Sequence, residues 1–155
     1  MSERKQNKKI DKRAPVIVGV GDLVDRSKED GLNPQELLAK ACEQAIQDSG
    51  IEGLNKHIDY IGVVRFTVDF LTATNQSNFQ YSNFPRTLAN KLDISTNHEV
   101  YAPMGGNSPQ VLLEDALVKI SAGETDCALL TGGEALQTMI AKLKAGMSLD
   151  WLDEP

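Results

Sequence analysis

The chain has 155 residues, a formal net charge of −6, 41% hydrophobic residues and 25% charged residues. This length is enough for one α/β domain with a core of its own and too short for two domains of ordinary size. No uninterrupted apolar run approaches the roughly 20 residues that span a bilayer, so the composition argues against a membrane protein.

The first residues differ in charge from the rest of the chain. Residues 1–13 contain six basic side chains and two acidic ones. A basic arm can bind nucleic acid, but neither aromatic residues nor a basic folded region accompany this one, so a solvated, disordered tail over residues 1–14 is favoured. The segment has neither the apolar stretch of a signal peptide nor the acid-poor pattern of a transit sequence, which makes the cytoplasm the expected location.

The chain contains few residues that bind metals or form disulfides. Cys42 and Cys127 are far apart in the sequence and lie in apolar surroundings. His57 and His98 are the only histidines, and no spacing groups them with the cysteines or with carboxylates. We therefore expect neither a disulfide scaffold nor a structural metal.

Strands and helices alternate along the predicted fold. The first predicted strand, residues 15–21, is almost entirely apolar and β-branched, as expected for a central strand covered on both faces. Further strands are predicted at residues 60–67, 98–101 and 126–131, and amphipathic helices at residues 34–49, 84–92, 108–122 and 134–145. This order predicts an α/β fold with a mostly parallel sheet and helices on both faces.

The polar and aromatic segment 69–83 has no sustained period and is predicted to be a long loop. Its Phe70, Phe79 and Tyr81 either line a ligand cleft or, as we favour, pack over the edge of the core. Gly19-Val20-Gly21 after the first strand suggests a dinucleotide-binding turn, but Val24 stands at the third glycine position and no helix opens directly afterwards. A nucleotide-dependent oxidoreductase is therefore the least favoured functional hypothesis.

A glycine turn stands between the third predicted strand and the following helix. In a parallel sheet this turn lies at the carboxyl ends of the strands, where ligands bind. The helix closes on Ile-Ser-Ala-Gly-Glu-Thr-Asp, residues 120–126, and the next strand ends in Gly-Gly-Glu, residues 132–134. These motifs, together with the opening strand Ala-Pro-Val-Ile-Val-Gly-Val-Gly at residues 14–21, resemble the N-terminal half of the thiolase superfamily, especially thiolase-like acetyl-CoA acetyltransferases.

The resemblance extends over about residues 15–151. It implies a thiolase-like half-domain over residues 15–145 and the start of a truncated loop region over residues 146–155. It also implies that the C-terminal half, which supplies a catalytic histidine and a second cysteine in the family, lies outside this sequence. A separately encoded C-terminal half or a second copy of the chain is then an expected partner.

The family's nucleophilic cysteine position falls on Gly106, where this sequence reads Gly-Gly-Asn-Ser-Pro-Gln over residues 105–110. Glycine offers no nucleophile, so we assign no catalytic residue. Ser108 is the nearest hydroxyl, but because Pro109 follows it, a helix cap is favoured over a nucleophile. The turn still exposes backbone N–H groups at a helix start, and we predict that Gly105, Gly106, Asn107 and Ser108 bind substrate.

Two functional hypotheses follow from the resemblance. The first is the N-terminal half of a thiolase-like acyl-CoA acyltransferase that is inactive alone. The second is a non-catalytic subunit that binds acyl-CoA or serves in assembly. In both hypotheses the expected ligand is a coenzyme A thioester, which is a substrate rather than a cofactor. Neither nucleic acid nor a membrane is an expected partner. Whether the chain is an enzyme stays open.

Overall fold

A computed structural model describes residues 11–67, 81, 83–149 and 151. The predicted tail is described from residue 11 onwards, and most of the predicted loop, with Phe70 and Phe79, lies outside the described residues. The described elements are α1 (Pro34–Asp48), a 3₁₀ turn (Leu54–Lys56), β1 (Tyr60–Val64), α2 (Phe84–Lys91), β2 (His98–Ala102), α3 (Ser108–Ala122), β3 (Ala128–Thr131) and α4 (Leu136–Lys144).

The three strands form one parallel sheet in the order β2-β1-β3. Tyr60 at the start of β1 is in register with His98 of β2 on one side and with Ala128 of β3 on the other. The first four residues of β1 are buried, as expected for a central strand. All three carboxyl ends therefore lie at the same edge of the sheet.

Helix α1 begins and ends where its sequence predicts. The side chain of Asn33 accepts a hydrogen bond from the Glu36 N–H at 2.8 Å, and the Glu36 carboxylate accepts one from the Asn33 N–H at 3.2 Å. This reciprocal pair is a capping box, with Pro34 in the first turn. Gly50, just beyond the helix, has φ +66°, a left-handed conformation that favours glycine.

The prediction of a buried central strand at residues 15–21 is wrong. This segment is not assigned to any strand of the described sheet, and Val16 and Ile17 are 75% and 79% exposed. Both hydrogen-bonding sides of β1 are already occupied, one by β2 and the other by β3. The apolar, β-branched composition of the segment predicted a buried strand, but a single sequence contains no information on which strand would be its partner.

The same segment instead lies against α1. A Cβ placed on Gly19 or on Gly21 would come within 2.1 Å of a carbonyl oxygen of α1, so only glycine allows this approach. The Val20 N–H donates a hydrogen bond of 2.9 Å to the carboxylate of Asp48 at the end of α1. The two glycines that resembled a nucleotide-binding turn therefore serve packing between backbones.

The helices are distributed unequally over the two faces of the sheet. One continuous core combines side chains of α1, α2 and α4 with one face of the sheet, as shown by Leu38, Leu88, Met139, Ile61, Val63 and Leu129. Helix α3 contacts all three strands, and its Leu112 approaches Gly62 and Leu130 on the other face. The predicted α/β architecture with helices on both faces is thus confirmed, with α3 alone on its face among the described helices.

An aromatic cluster lies beyond the end of β1. The ring of Phe84, the first residue of α2, is 4.6 Å from that of Phe66 and 4.7 Å from that of Tyr81, both in edge-to-face geometry. Tyr101 of β2 completes the cluster at 6.1 Å from Phe66. Tyr81 is buried, which agrees with the expectation that this side chain packs over the edge of the core.

A buried hydrogen bond joins β1 to α3. The hydroxyl of Tyr60, which is fully buried, donates to the carboxylate of Asp115 at 2.8 Å. Burial, followed by the hydrogen bond and the charge of Asp115, raises the pKa of the Tyr60 phenol above its ordinary value of about 10.

This raised pKa predicts a loss of stability in alkali. The neutral phenol is favoured in the folded chain. Its contribution to the free energy of unfolding is therefore complete below the unfolded pKa of about 10 and is lost as the pH rises above that value. We expect Tyr60→Phe to lower the free energy of unfolding by about 0.5–1.5 kcal/mol at pH 7 and to weaken its decline above pH 10. Urea unfolding at pH 7, 9 and 10.5 measures both effects, and an unchanged alkaline slope would contradict the assignment.

Candidate functional site

The glycine turn joins the carboxyl end of β2 to the N-terminus of α3. Gly105, Gly106 and Asn107 are exposed, and Ser108 is the first residue of the helix. The four residues predicted to bind substrate are therefore contiguous at the edge of the sheet that the topology selects for ligands. The first turn of α3 contains no acidic residue, so no carboxylate there offsets the positive end of the helix dipole.

The structure gives Ser108 a different role from the predicted cap. Asn107, in αR geometry, is the N-cap, and its side chain makes no capping hydrogen bond. Ser108 is only 4% exposed, and its hydroxyl donates a hydrogen bond of 2.6 Å to the carbonyl oxygen of Pro103. The Ser108 hydroxyl thus connects the start of α3 to the residue that follows β2. This favours a structural role for the hydroxyl over a nucleophilic one.

The backbone at Gly106 accepts a side chain. Its φ lies outside the left-handed range, and a Cβ placed on it meets no atom within 4 Å. By contrast, a Cβ on Gly105 would come within 3.2 Å of the Asn107 side chain and 3.3 Å of the Ser108 hydroxyl. Neither conformation nor space therefore requires glycine at position 106.

The two cysteines lie away from this turn. Cys42 is on α1, on the opposite face of the sheet from α3, and is 2% exposed; its burial raises the thiol pKa to about 11. Cys127 precedes β3 at the amino end of the sheet, and burial, then the carboxylates of Asp59 and Asp126, raises its pKa. Neither thiol is positioned or ionised to replace a nucleophile at Gly106.

His98 also lies at the wrong end of the sheet to serve Ser108. It is the first residue of β2, and its ring lies 6.2 Å from that of Tyr60. The four residues that follow it in the strand advance the chain by roughly 13 Å before the turn begins. A general base must lie within hydrogen-bond reach of the proton it takes, so the pair is excluded.

A cavity of about 510 Å³ opens beside the first turn of α3. It lies between the carboxyl ends of β1 and β3 and is lined by Val64, Arg65, Pro109, Leu112, Leu130, Thr131, Gly132, Gly133 and Glu134. The volume falls within the range of about 300–1,000 Å³ that ligand pockets occupy. The cavity exists on the face of the sheet where α3 is the only described helix.

Two charged residues that line this cavity were not predicted as site residues from the sequence. The guanidinium carbon of Arg65 lies 4.1 Å from the centre of the Tyr101 ring, within cation–π distance. The Glu134 carboxylate accepts a hydrogen bond from the Thr67 N–H at 2.5 Å. Glu134 closely follows the predicted strand at residues 126–131, and that position was the signal available from the sequence. Arg65 lies inside the predicted strand at residues 60–67 and follows the strand end only in the structure, where β1 ends at Val64.

Within residues 11–67, 81, 83–149 and 151, no group of three His, Cys, Asp or Glu side chains is arranged to hold a metal ion. In the same part of the chain, no helix has the length and apolarity needed to cross a membrane.

Comparison with known proteins gave a match only among solved structures. No family model matches the chain, and no curated protein matches it either. Among the solved structures, a monomeric SCP2-thiolase-like protein type 1 from Mycobacterium smegmatis matches with a TM-score of 0.65 and 32% identity. The match covers 81% of this chain and 24% of that protein, so this chain spans about a quarter of the length of its relative.

Proposed function

From the thiolase-like fold of this chain, we propose that it is the N-terminal portion of a thiolase-like acyl-CoA acyltransferase acting in the cytoplasm. It binds the coenzyme A thioester at Gly105–Ser108 and is inactive alone. The observation that carries the proposal is the exposed turn at the start of a 15-residue helix, on the carboxyl edge of the sheet and without a nucleophile at Gly106.

The chemistry of the turn suits a thioester carbonyl. The Ser108 N–H donates to the Gly105 carbonyl at 3.0 Å and Pro109 has no N–H, so the N–H groups of Gly106, Asn107 and Gln110 are the ones that can meet a ligand at the start of α3. The helix dipole favours negative charge there. An acyl oxygen or a phosphate oxygen can accept these hydrogen bonds. Acyl transfer through a covalent intermediate also needs a thiolate or alkoxide, which Gly106 lacks and which the buried donor hydroxyl of Ser108 does not supply.

The exposed side of α3 supports the proposal that a second polypeptide completes the site. Val111, Leu117 and Val118 are exposed on this helix, although it is the only described helix on its face of the sheet. We propose the C-terminal half of a thiolase-like protein as the partner. A second copy of this chain is the alternative, and sedimentation of the chain alone, with Val118→Glu as the disrupting variant, distinguishes the two.

The glycine at position 106 also favours a second candidate function. If no partner supplies a nucleophile near Gly106, the chain is a non-catalytic acyl-CoA-binding or assembly subunit. The two candidates share the binding step and differ only in whether thiol is released from the thioester.

Calorimetric titration with acetyl-CoA tests the shared binding step. We expect binding by the wild-type chain, loss of binding in Gly106→Glu because a carboxylate would face the ligand oxygen, and retention in the size-matched Gly106→Gln. Equal binding by both variants, or no binding by the wild type, would overturn the proposed site.

An assay of free thiol with acetyl-CoA and acetoacetyl-CoA separates the two candidates. The chain alone is expected to release none. Release after addition of a C-terminal thiolase half supports the acyltransferase, and its absence supports the binding subunit. Release by the chain alone would contradict both.

A further inference from the structure

A second cavity, of about 480 Å³, lies at the opposite edge of the sheet from the glycine turn. Its lining comes from the last turns of α1, the chain that leads into the 3₁₀ turn, and the end of α2. Helix α1 precedes β1 and helix α2 precedes β2 in a parallel sheet, so both helices end at the amino edge. The cavity therefore shares no residue with the proposed thioester site.

Three aliphatic side chains form the hydrocarbon part of this cavity. Leu92 is 7% exposed, Ile46 packs against the core, and Ile51 is 46% exposed. A ligand that covers Ile51 removes apolar surface from water, and this favours binding. The buried Leu92 beside it extends the same apolar surface into the cavity.

The charge of the lining is mainly negative. Glu43 and Glu52 form no ion pair with another residue in the described part of the chain, whereas Asp93 is paired with Lys56. The negative ends of the dipoles of α1 and α2 lie at the same place. Lys91 is the opposing charge in the lining. The cavity therefore favours a cation over an anion.

The two carboxylates without an ion pair belong to different segments. Glu43 lies within α1, and Glu52 follows the end of that helix. The seven residues from Glu43 to Gly50 alone advance the backbone by roughly 10 Å. Two cationic groups separated by hydrocarbon therefore match the lining better than a single cationic group does.

We propose that this cavity binds an alkyl diamine or polyamine, whose methylenes cover Ile51 and Leu92 and whose ammonium groups meet Glu43 and Glu52. No three His, Cys, Asp or Glu side chains among the described residues are arranged to hold a metal ion. The carboxylates here thus meet a cation that brings its own hydrocarbon. The inference does not depend on the proposed function, because the two sites lie at opposite edges of the sheet.

Titration of the ¹⁵N-labelled full chain, followed by nuclear magnetic resonance, tests the proposal with three small ligands. Hexanediamine has both charge and hydrocarbon, ethylenediamine has the same charge with a shorter chain, and hexanediol has the same chain without charge. We expect hexanediamine to shift the amide signals of Gly50, Ile51 and Leu92. It should bind about tenfold more tightly than ethylenediamine, as burial of roughly two methylenes gives, and also more tightly than hexanediol.

Charge variants locate the ammonium groups. Glu43→Gln and Glu52→Gln keep the size of the side chain and should each weaken hexanediamine binding about two- to fivefold, the range of exposed ion pairs. Lys91→Gln removes the opposing charge and should strengthen binding. Glu29→Gln, at an exposed position in the loop before α1, is the matched control and should leave the affinity unchanged.

Each remaining outcome overturns the proposal. Equal affinities for hexanediamine and ethylenediamine would show that the acidic charge alone attracts the ligand. Equal affinities for hexanediamine and hexanediol would show that the carboxylates take no part. Signal shifts spread over the whole acidic surface, unchanged binding in the double variant of Glu43→Gln and Glu52→Gln, or no binding of hexanediamine would each show that the cavity is not a diamine site.

Discussion

Replacement of Phe84 by alanine is expected to lower the free energy of unfolding by about 3–5 kcal/mol. Phe84 is fully buried, begins α2 and stands at the centre of the aromatic cluster. The truncation removes edge-to-face contacts with both Phe66 and Tyr81 and leaves a void between the helix and the end of β1. Because small domains are stable by only about 5–15 kcal/mol, this loss is a large fraction of the total.

Urea unfolding followed by circular dichroism measures the effect. Val118→Ala is the control, because Val118 is 67% exposed and its replacement should change the free energy by no more than about 0.5 kcal/mol. Phe84→Leu retains part of the apolar volume and should fall between the two. A loss below 1 kcal/mol in Phe84→Ala would show that the aromatic cluster is not packed as described.

Replacement of Gly106 by cysteine is expected to create a reactive thiol without loss of stability. The backbone there accepts a side chain, and a Cβ meets no neighbouring atom within 4 Å. The start of a helix stabilises the thiolate through free N–H groups and the dipole, so the introduced thiol should have a pKa below its ordinary value of about 8.5. We expect alkylation at pH 7 about three- to tenfold faster than at an ordinary exposed cysteine.

The rate of iodoacetamide alkylation, followed by mass spectrometry from pH 5 to 10, measures this pKa. Val118→Cys, in the middle of the same helix, is the matched control. The native cysteines should contribute little in the neutral range, because burial raises the pKa of Cys42 to about 11 and also raises that of Cys127. Equal rates for the two variants would show that the turn does not stabilise an anion.

The same variant tests whether only the nucleophile is absent. A thiolate at position 106 can attack the carbonyl carbon of acetyl-CoA, forming a thioester with the protein and releasing the coenzyme A thiolate, which takes up a proton from water. We expect one acetyl group per chain in Gly106→Cys and none in Val118→Cys. Lack of acetylation together with a lowered pKa would show that the turn attracts anions but does not place the acyl carbonyl.

Local signals predicted the helices well. The Asn33 and Glu36 capping box, Pro34 and Gly50 bounded α1, and these features act through backbone groups only a few residues apart. The apolar stripe of α3 was more ambiguous. Leu112 and Ala116 are buried as predicted, whereas Leu117 is exposed, because periodicity marks an apolar side of a helix but does not fix how much of it has a neighbour.

The sequence by itself determined the α/β class, the helix bounds, and the position of the glycine turn between a strand and a helix, because capping, glycine conformation and apolar periodicity depend on near neighbours. Only the tertiary structure decided that residues 15–21 lie against α1 outside the sheet, that the Ser108 hydroxyl is bonded to Pro103, and that Arg65 and Glu134 share a cavity. These facts depend on contacts between residues far apart in the chain or on local backbone geometry, and a single sequence contains no signal for strand partners or for the direction of a hydroxyl.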